Sequence, residues 1–209
     1  MSEMKERMLR GELYIAHDPD LAADNARAMA LLERFNATSH DAGDERRRLL
    51  GELLGGVGDN VVIRPPFRCD YGSYITIGAG TFVNFGAILL DCAPITIGAA
   101  CQLATNVQLL TPTHPVDPGP RRAGWEAAEP IVLGDNVWLG GGVIVCPGVT
   151  IGADTVVGAG AVVTRDLPAG VVAVGNPARV LREIGEADRV EVAAAASRDA
   201  EPSGGGSSG

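Results

Sequence analysis

Residues 131–163 read IVLGDNVWLGGGVIVCPGVTIGADTVVGAGAVV, and a period of six runs through them. Every sixth residue from Leu133 is aliphatic: Leu133, Leu139, Val145, Ile151, Val157 and Val163. The residues two before each, Ile131, Val137, Val143, Val149, Thr155 and Ala161, are aliphatic or small. Gly follows the first series at Gly134, Gly140, Gly152 and Gly158. Each unit reads as a short strand and a turn. The aliphatic residue points inward, and Gly or Asn near the corner tolerates the positive φ of a tight turn. One unit cannot bury its own apolar face, so units must stack, and a hexapeptide repeat reads as a parallel β-helix.

Working outward, Ile77, Val83 and Leu89 keep the same step, and after two extra residues Ile97, Leu103 and Leu109 resume it. The segment ITIG occurs at 75–78 and 95–98, with VTIG at 149–152. The expected architecture is mainly β, a solenoid spanning 57–186.

Composition agrees. The chain has 209 residues, 28 of them Gly and only 4% aromatic, which suits a narrow core of Ile, Val, Leu and Ala. A net charge of −9 argues against non-specific nucleic-acid binding, which needs a basic face. No apolar run approaches the roughly 20 residues of a membrane span. The charged first residues lack the apolar core of a signal peptide, so a cytoplasmic location is expected. Cys69, Cys92, Cys101 and Cys146 show no metal-ligand spacing and read as reduced apolar fillers, with no metal expected.

Residues 1–56 read as a helical cap. Asp18 and Pro19 mark an N-cap and first turn for a helix over 19–36, with a second over 42–54. Such helices would hide the exposed edge of the first coil. Residues 111–130 (TPTHPVDPGPRRAGWEAAEP) hold five of the thirteen prolines and no period, and read as a protruding loop of the kind that carries function. Residues 174–186 (VGNPARVLREIGE) are expected to add a last turn and a short helix, and 187–209 to be disordered.

Of three histidines, His17 and His40 lie in the leader among polar residues, and His114 lies in the 111–130 loop. An imidazole titrates near neutrality, so His114 at a coil edge suits a general base; the alternative is a solvent-exposed loop residue. A γ-carbonic anhydrase needs three zinc-ligating histidines, which the repeat region does not supply. A non-catalytic β-helix used for assembly remains open on composition alone.

The segments FRCDYGSYITIG (67–78), VNFGAILLDCAPITIG (83–98), the stretch from TPTHP at 111 to TRDLP at 168, and VGNPARVLREI (174–184) together resemble the hexapeptide-repeat acetyltransferases. The similarity is to the maltose and galactoside O-acetyltransferases, with the nodulation-factor acetyltransferases nearby, and covers about residues 3 to 186. It implies a left-handed parallel β-helix, a homotrimer, and acetyl transfer from acetyl-coenzyme A to a hydroxyl in a ternary complex. The acceptor implied is a sugar, with serine, an antibiotic or a nodulation-factor-like oligosaccharide as alternatives. The family's catalytic His falls on His114. Its acceptor positions fall on Asp70, Asn84, Asp91, Glu126 and Trp138. Its cofactor positions fall on Asn84, Trp138, Gly141, Ala159, Thr164, Arg165, Arg179 and Arg182. Cys92 stands where the galactoside enzymes carry a second acidic residue, Gly141 where they carry a Ser, and Arg165 where Lys is usual. Arg179 and Arg182, three apart on the expected helix, would share one face toward phosphates.

Overall fold

The structure, a computed structural model, describes residues 1–190. Three parallel sheets form the three faces of a prism, and the chain visits them in the order first, second, third. The first face stacks Gly56–Val57, Ile75–Ile77, Ile95–Ile97, Ile131–Leu133 and Thr150–Ile151. The second stacks Val62–Ile63, Phe82–Val83, Gln102–Leu103, Trp138–Leu139, Val156–Val157 and Val171–Val174. The third stacks Phe67–Cys69, Ala87–Leu90, Gln108–Leu110, Ile144–Val145 and Val162–Val163. Both apolar series found at period six are buried from end to end, including Thr155, whose hydroxyl donates to the Pro168 carbonyl at 2.7 Å.

Glycine plays a second part besides the expected tolerance of positive φ at the corners. The glycine after each inward residue is needed for close approach rather than for positive φ. A Cβ on Gly98 would stand 2.6 Å from the Asp135 amide nitrogen of the next coil, and one on Gly140 would stand 2.6 Å from that of Ala159. Positive φ falls two residues later, at positions such as Asn136 (55°) and Gly142 (69°).

Departures from the six-residue step gather on one edge. Cys69 pairs with Leu89 and Leu89 with Leu109, steps of twenty residues, whereas Val145 pairs with Val163, a step of eighteen. The two extra residues fall both times between the third face and the first, at 70–74 and 90–94, and the 111–130 segment inserts at the same edge.

That segment, expected as a protruding loop, is an ordered arm with strands of its own. Pro112–Thr113 pairs antiparallel with Trp125–Ala128, and the short helix Pro118–Arg122 closes its tip. The leader strand Tyr14–Ile15 pairs on the arm's other side.

The helical cap comprises α1 (Glu3–Leu9), α2 (Pro19–Asn36) and α3 (Gly43–Leu53). Asp18 caps α2 by accepting from the amides of Asp20 and Leu21. The inner faces of α2 and α3 continue the solenoid core, with Phe35 edge-on to Phe67 at 6.4 Å. The Asn36 side chain donates to the Phe67 carbonyl and accepts from the Phe67 amide, as a further strand would. The edge of the first coil is thereby covered.

The expected C-terminal helix is a strand. Arg179–Glu183 runs antiparallel to Val171–Val174. Gly175, at φ 97°, lies in the turn that folds the chain back onto an edge whose amides and carbonyls lack partners. Of the expected disordered tail, 187–190 is described, with a single 3₁₀ turn at Glu186–Asp188, and 191–209 lies outside the described residues.

Candidate active site

His114 emerges from the arm beside the edge where the two-residue expansions accumulate. It lines a cleft of about 480 Å³ with Asp70, Cys92 and Glu126 on the solenoid and arm side, and with Ala16 and Asn25 of the leader opposite. His114 Nε2 lies 3.8 Å from Glu126 Oε2. The Cys92 thiol donates to Asp70 Oδ2 at 3.4 Å. Burial raises the Asp70 pKa above the ordinary carboxylate value, and Asp91 and Glu126 add to the rise while the Cys92 thiol opposes it. Burial likewise pushes the Cys92 thiol well above its ordinary value, so it stays protonated and is not a ready nucleophile.

Asp91, expected to hold acceptor hydroxyls, does not line the cleft. It is fully buried, and its oxygens accept from the backbone amides of Asp70 (3.0 Å), Tyr71 (2.8 Å) and Tyr74 (3.2 Å). Its carboxylate ties down the expanded corner, and the next residue, Cys92, reaches the cleft in its place.

The other expected residues divide between two edges. Asn84, Gly141 and Ala159 lie where the second face turns into the third. Asn84 shares a smaller cleft with Phe82, Gln102, Ala104 and Trp138, which projects from the second face and is 54% exposed. Thr164 and Arg165 follow Val162–Val163 and so lie on the His114 edge, where the third face ends. The whole strand Ala87–Leu90, roughly 13 Å of extended chain, lies between Asn84 and Asp91. Within one chain Trp138 and Asn84 are therefore not beside His114. The period itself carries this signal: 141 and 159 are one eighteen-residue coil apart, and 164 falls one strand further on.

Arg179 and Arg182 do share a face, for a reason other than helical spacing. Arg179 pairs with Val174 and Arg182 with Val172, and a bulge between them absorbs Leu181. Cross-strand partners project to the same side, so both guanidinium groups stand on the outer surface. Arg182 is held by Asp188 at 2.6 Å. Sequence reasoning missed the leader's contribution to the cleft, at Ala16, Leu21 and Asn25, because nothing in the repeat points to it. Among the described residues no cluster of His, Cys, Asp and Glu could hold a metal ion, and no helix is long and apolar enough to cross a membrane.

A buried-cored hexapeptide solenoid with a helical cap, a histidine arm and small residues along one edge defines an acyltransferase of the hexapeptide-repeat class. Comparison with known proteins carries this further. Residues 7–58 match the maltose acetyltransferase hexapeptide capping motif, and 130–165 match the bacterial transferase hexapeptide, six repeats. The chain is 50% identical to nodulation protein L of Rhizobium meliloti (strain 1021) over 84% of its own length and 96% of that protein's. A maltose O-acetyltransferase from Clostridium difficile 630 superposes with a TM-score of 0.87 at 44% identity, covering 88% of this chain and 99% of that one. A galactoside acetyltransferase in complex with coenzyme A gives a TM-score of 0.87 at 38% identity, covering 90% and 94%. The chain belongs to the maltose and galactoside O-acetyltransferase family of enzymes.

Proposed function

We propose that this protein transfers the acetyl group of acetyl-coenzyme A to a hydroxyl of a sugar, with His114 as general base, at sites formed between the chains of a homotrimer. The observation that carries the reading is the convergence of His114, Asp70 and Glu126 on one cleft. The imidazole takes the proton of the acceptor hydroxyl as its oxygen attacks the thioester carbonyl. The tetrahedral intermediate then collapses, the carbon–sulfur bond breaks, and the imidazolium returns the proton to the departing thiolate. Proton transfer of this kind contributes typically about 10²- to 10⁴-fold. Asp70 and Glu126 accept hydrogen bonds from acceptor hydroxyls.

The residues suit an extended thioester arm. Ala104, Gly141 and Ala159 leave the backbone of one edge uncovered, Arg165 and Arg179 supply cations toward the far end, and Arg182 joins them on release from Asp188. The division of Asn84, Trp138, Gly141 and Ala159 from His114, Thr164 and Arg165 supports a groove walled by two chains. Exposed Val62, Phe85 and Trp138 on and beside the second face offer an apolar surface for the neighbour. The free cysteines accord with a reducing compartment such as the cytoplasm.

The test is release of coenzyme A thiol from acetyl-coenzyme A across maltose, glucose, galactosides, chitooligosaccharides and serine. Turnover with a sugar and none with serine is expected. Turnover confined to serine, or with no hydroxyl acceptor at all, overturns the reading.

A further inference from the structure

The leader strand places a tyrosine in line with the histidine. Tyr14 pairs with Glu126, and Ile15 with Trp125. On the other side of the same arm strand, Ala127 pairs with Thr113 and Ala128 with Pro112. Extended by one residue, this register sets His114 opposite Glu126. Residues opposite one another in antiparallel strands project to the same side. Tyr14, Glu126 and His114 therefore form a row across three strands, and their exposure grades along it. Tyr14 is 0% exposed, the Glu126 side chain 17% and the His114 side chain 56%.

The buried end of the row is unfinished. The Tyr14 hydroxyl is enclosed and has no hydrogen-bond partner among the described residues. A buried hydroxyl left without a partner is destabilising, and such groups call for an explanation. Its ring packs with Met8, Leu21 and Tyr71, and the Cys92 thiol and Glu126 carboxyl are its polar neighbours. Burial, with those two groups beside it, raises the phenol's pKa far above its ordinary value, so it stays a proton donor. The Glu126 to His114 separation of 3.8 Å is also longer than a hydrogen bond. The Glu126 carboxyl neighbours both the Tyr14 hydroxyl and the His114 ring, and catalytic hydrogen bonds are often loose before substrate binds.

We propose that Tyr14 is a positioning residue: its hydroxyl donates to the Glu126 carboxylate, which in turn orients the His114 imidazole when the acceptor fills the cleft. The helical leader then serves the reaction as well as the fold, because its strand supplies the inner end of the row. The kinetic part rests on the reading of His114 as the base; the contact between side chains does not.

The experiment compares Tyr14→Phe, Glu126→Gln and the double variant in the full-length protein. Phe keeps the packing and removes only the unpartnered hydroxyl, so the melting temperature should hold or rise. In the wild-type background Tyr14→Phe should lower kcat about tenfold, with KM for acetyl-coenzyme A unchanged; in Glu126→Gln it should lower kcat less than twofold. Equal factors in both backgrounds overturn the proposal, as does full activity of Tyr14→Phe. A second readout needs no turnover. The ¹⁵N pattern of the His114 ring should show one predominant tautomer in the wild type and a mixture in both single variants. A ring pattern indifferent to Tyr14 overturns the row. A ring that responds in a protein inactive toward every acceptor leaves the row standing and removes the functional reading instead.

Discussion

Asp91 and Tyr71 are joined across neighbouring coils by a carboxylate that accepts the Tyr71 backbone amide at 2.8 Å, with the amides of Asp70 and Tyr74 bound by the same side chain. This buried carboxylate shapes the expanded corner from which Asp70 and Cys92 face the cleft. Asp91→Ala leaves these amides without their acceptor, at about 1–3 kcal/mol for each that stays buried and unpaired. Urea denaturation should show a loss of at least about 3 kcal/mol, and Asp91→Asn a smaller one. A loss below 1 kcal/mol in both would mean that the corner holds without its carboxylate.

Asp70 carries a pH signature. Burial raises its folded pKa, so the folded protein keeps its proton to higher pH than the unfolded chain does. The associated stability is full below the ordinary value, about 3.9, and is lost as pH rises through the folded one. Asp70→Asn has no proton to lose there. The melting temperature of Asp70→Asn relative to wild type should therefore be more favourable at pH 7 than at pH 4. A difference independent of pH, or one of opposite slope, contradicts the raised value.

His114→Ala should lower kcat by about 10²- to 10⁴-fold while changing KM for acetyl-coenzyme A less than about twofold, because the imidazole acts on the acceptor's proton and not on the donor's binding. Thiol release with the best sugar acceptor measures both. Equal turnover by the variant and the wild type removes His114 from the reaction.

Division of the site between two edges predicts complementation. His114→Ala and Asn84→Ala chains should each be nearly inactive alone. Mixed by refolding together, they should recover about a quarter of wild-type activity, since in a cyclic trimer each interface draws one edge from each neighbour. Light scattering should give three chains per particle. Recovery absent from well-mixed trimers would place the whole site within one chain.

How much could be read in advance follows from what repeats. The inward series, the N-cap at Asp18 and the two solenoid interruptions are local or periodic, and the structure keeps them. Arg179–Glu183 was misread because arginines three apart suit a helix, whereas the free edge of Val171–Val174 made a strand the better partner. The hold of Asp91 on backbone amides was not legible, because burial cannot be read from a carboxylate's place in the sequence.

The sequence by itself determined the three-sided solenoid, since a six-residue apolar period admits one economical way of burying its residues, and it singled out His114 as the lone histidine of the repeat region. Only the tertiary structure decided which edge each residue occupies and what stands behind it. Tyr14 and Glu126 are more than a hundred positions apart, and no local rule couples them; the register of the leader strand against the arm does, through backbone hydrogen bonds that exist only once the chain has folded.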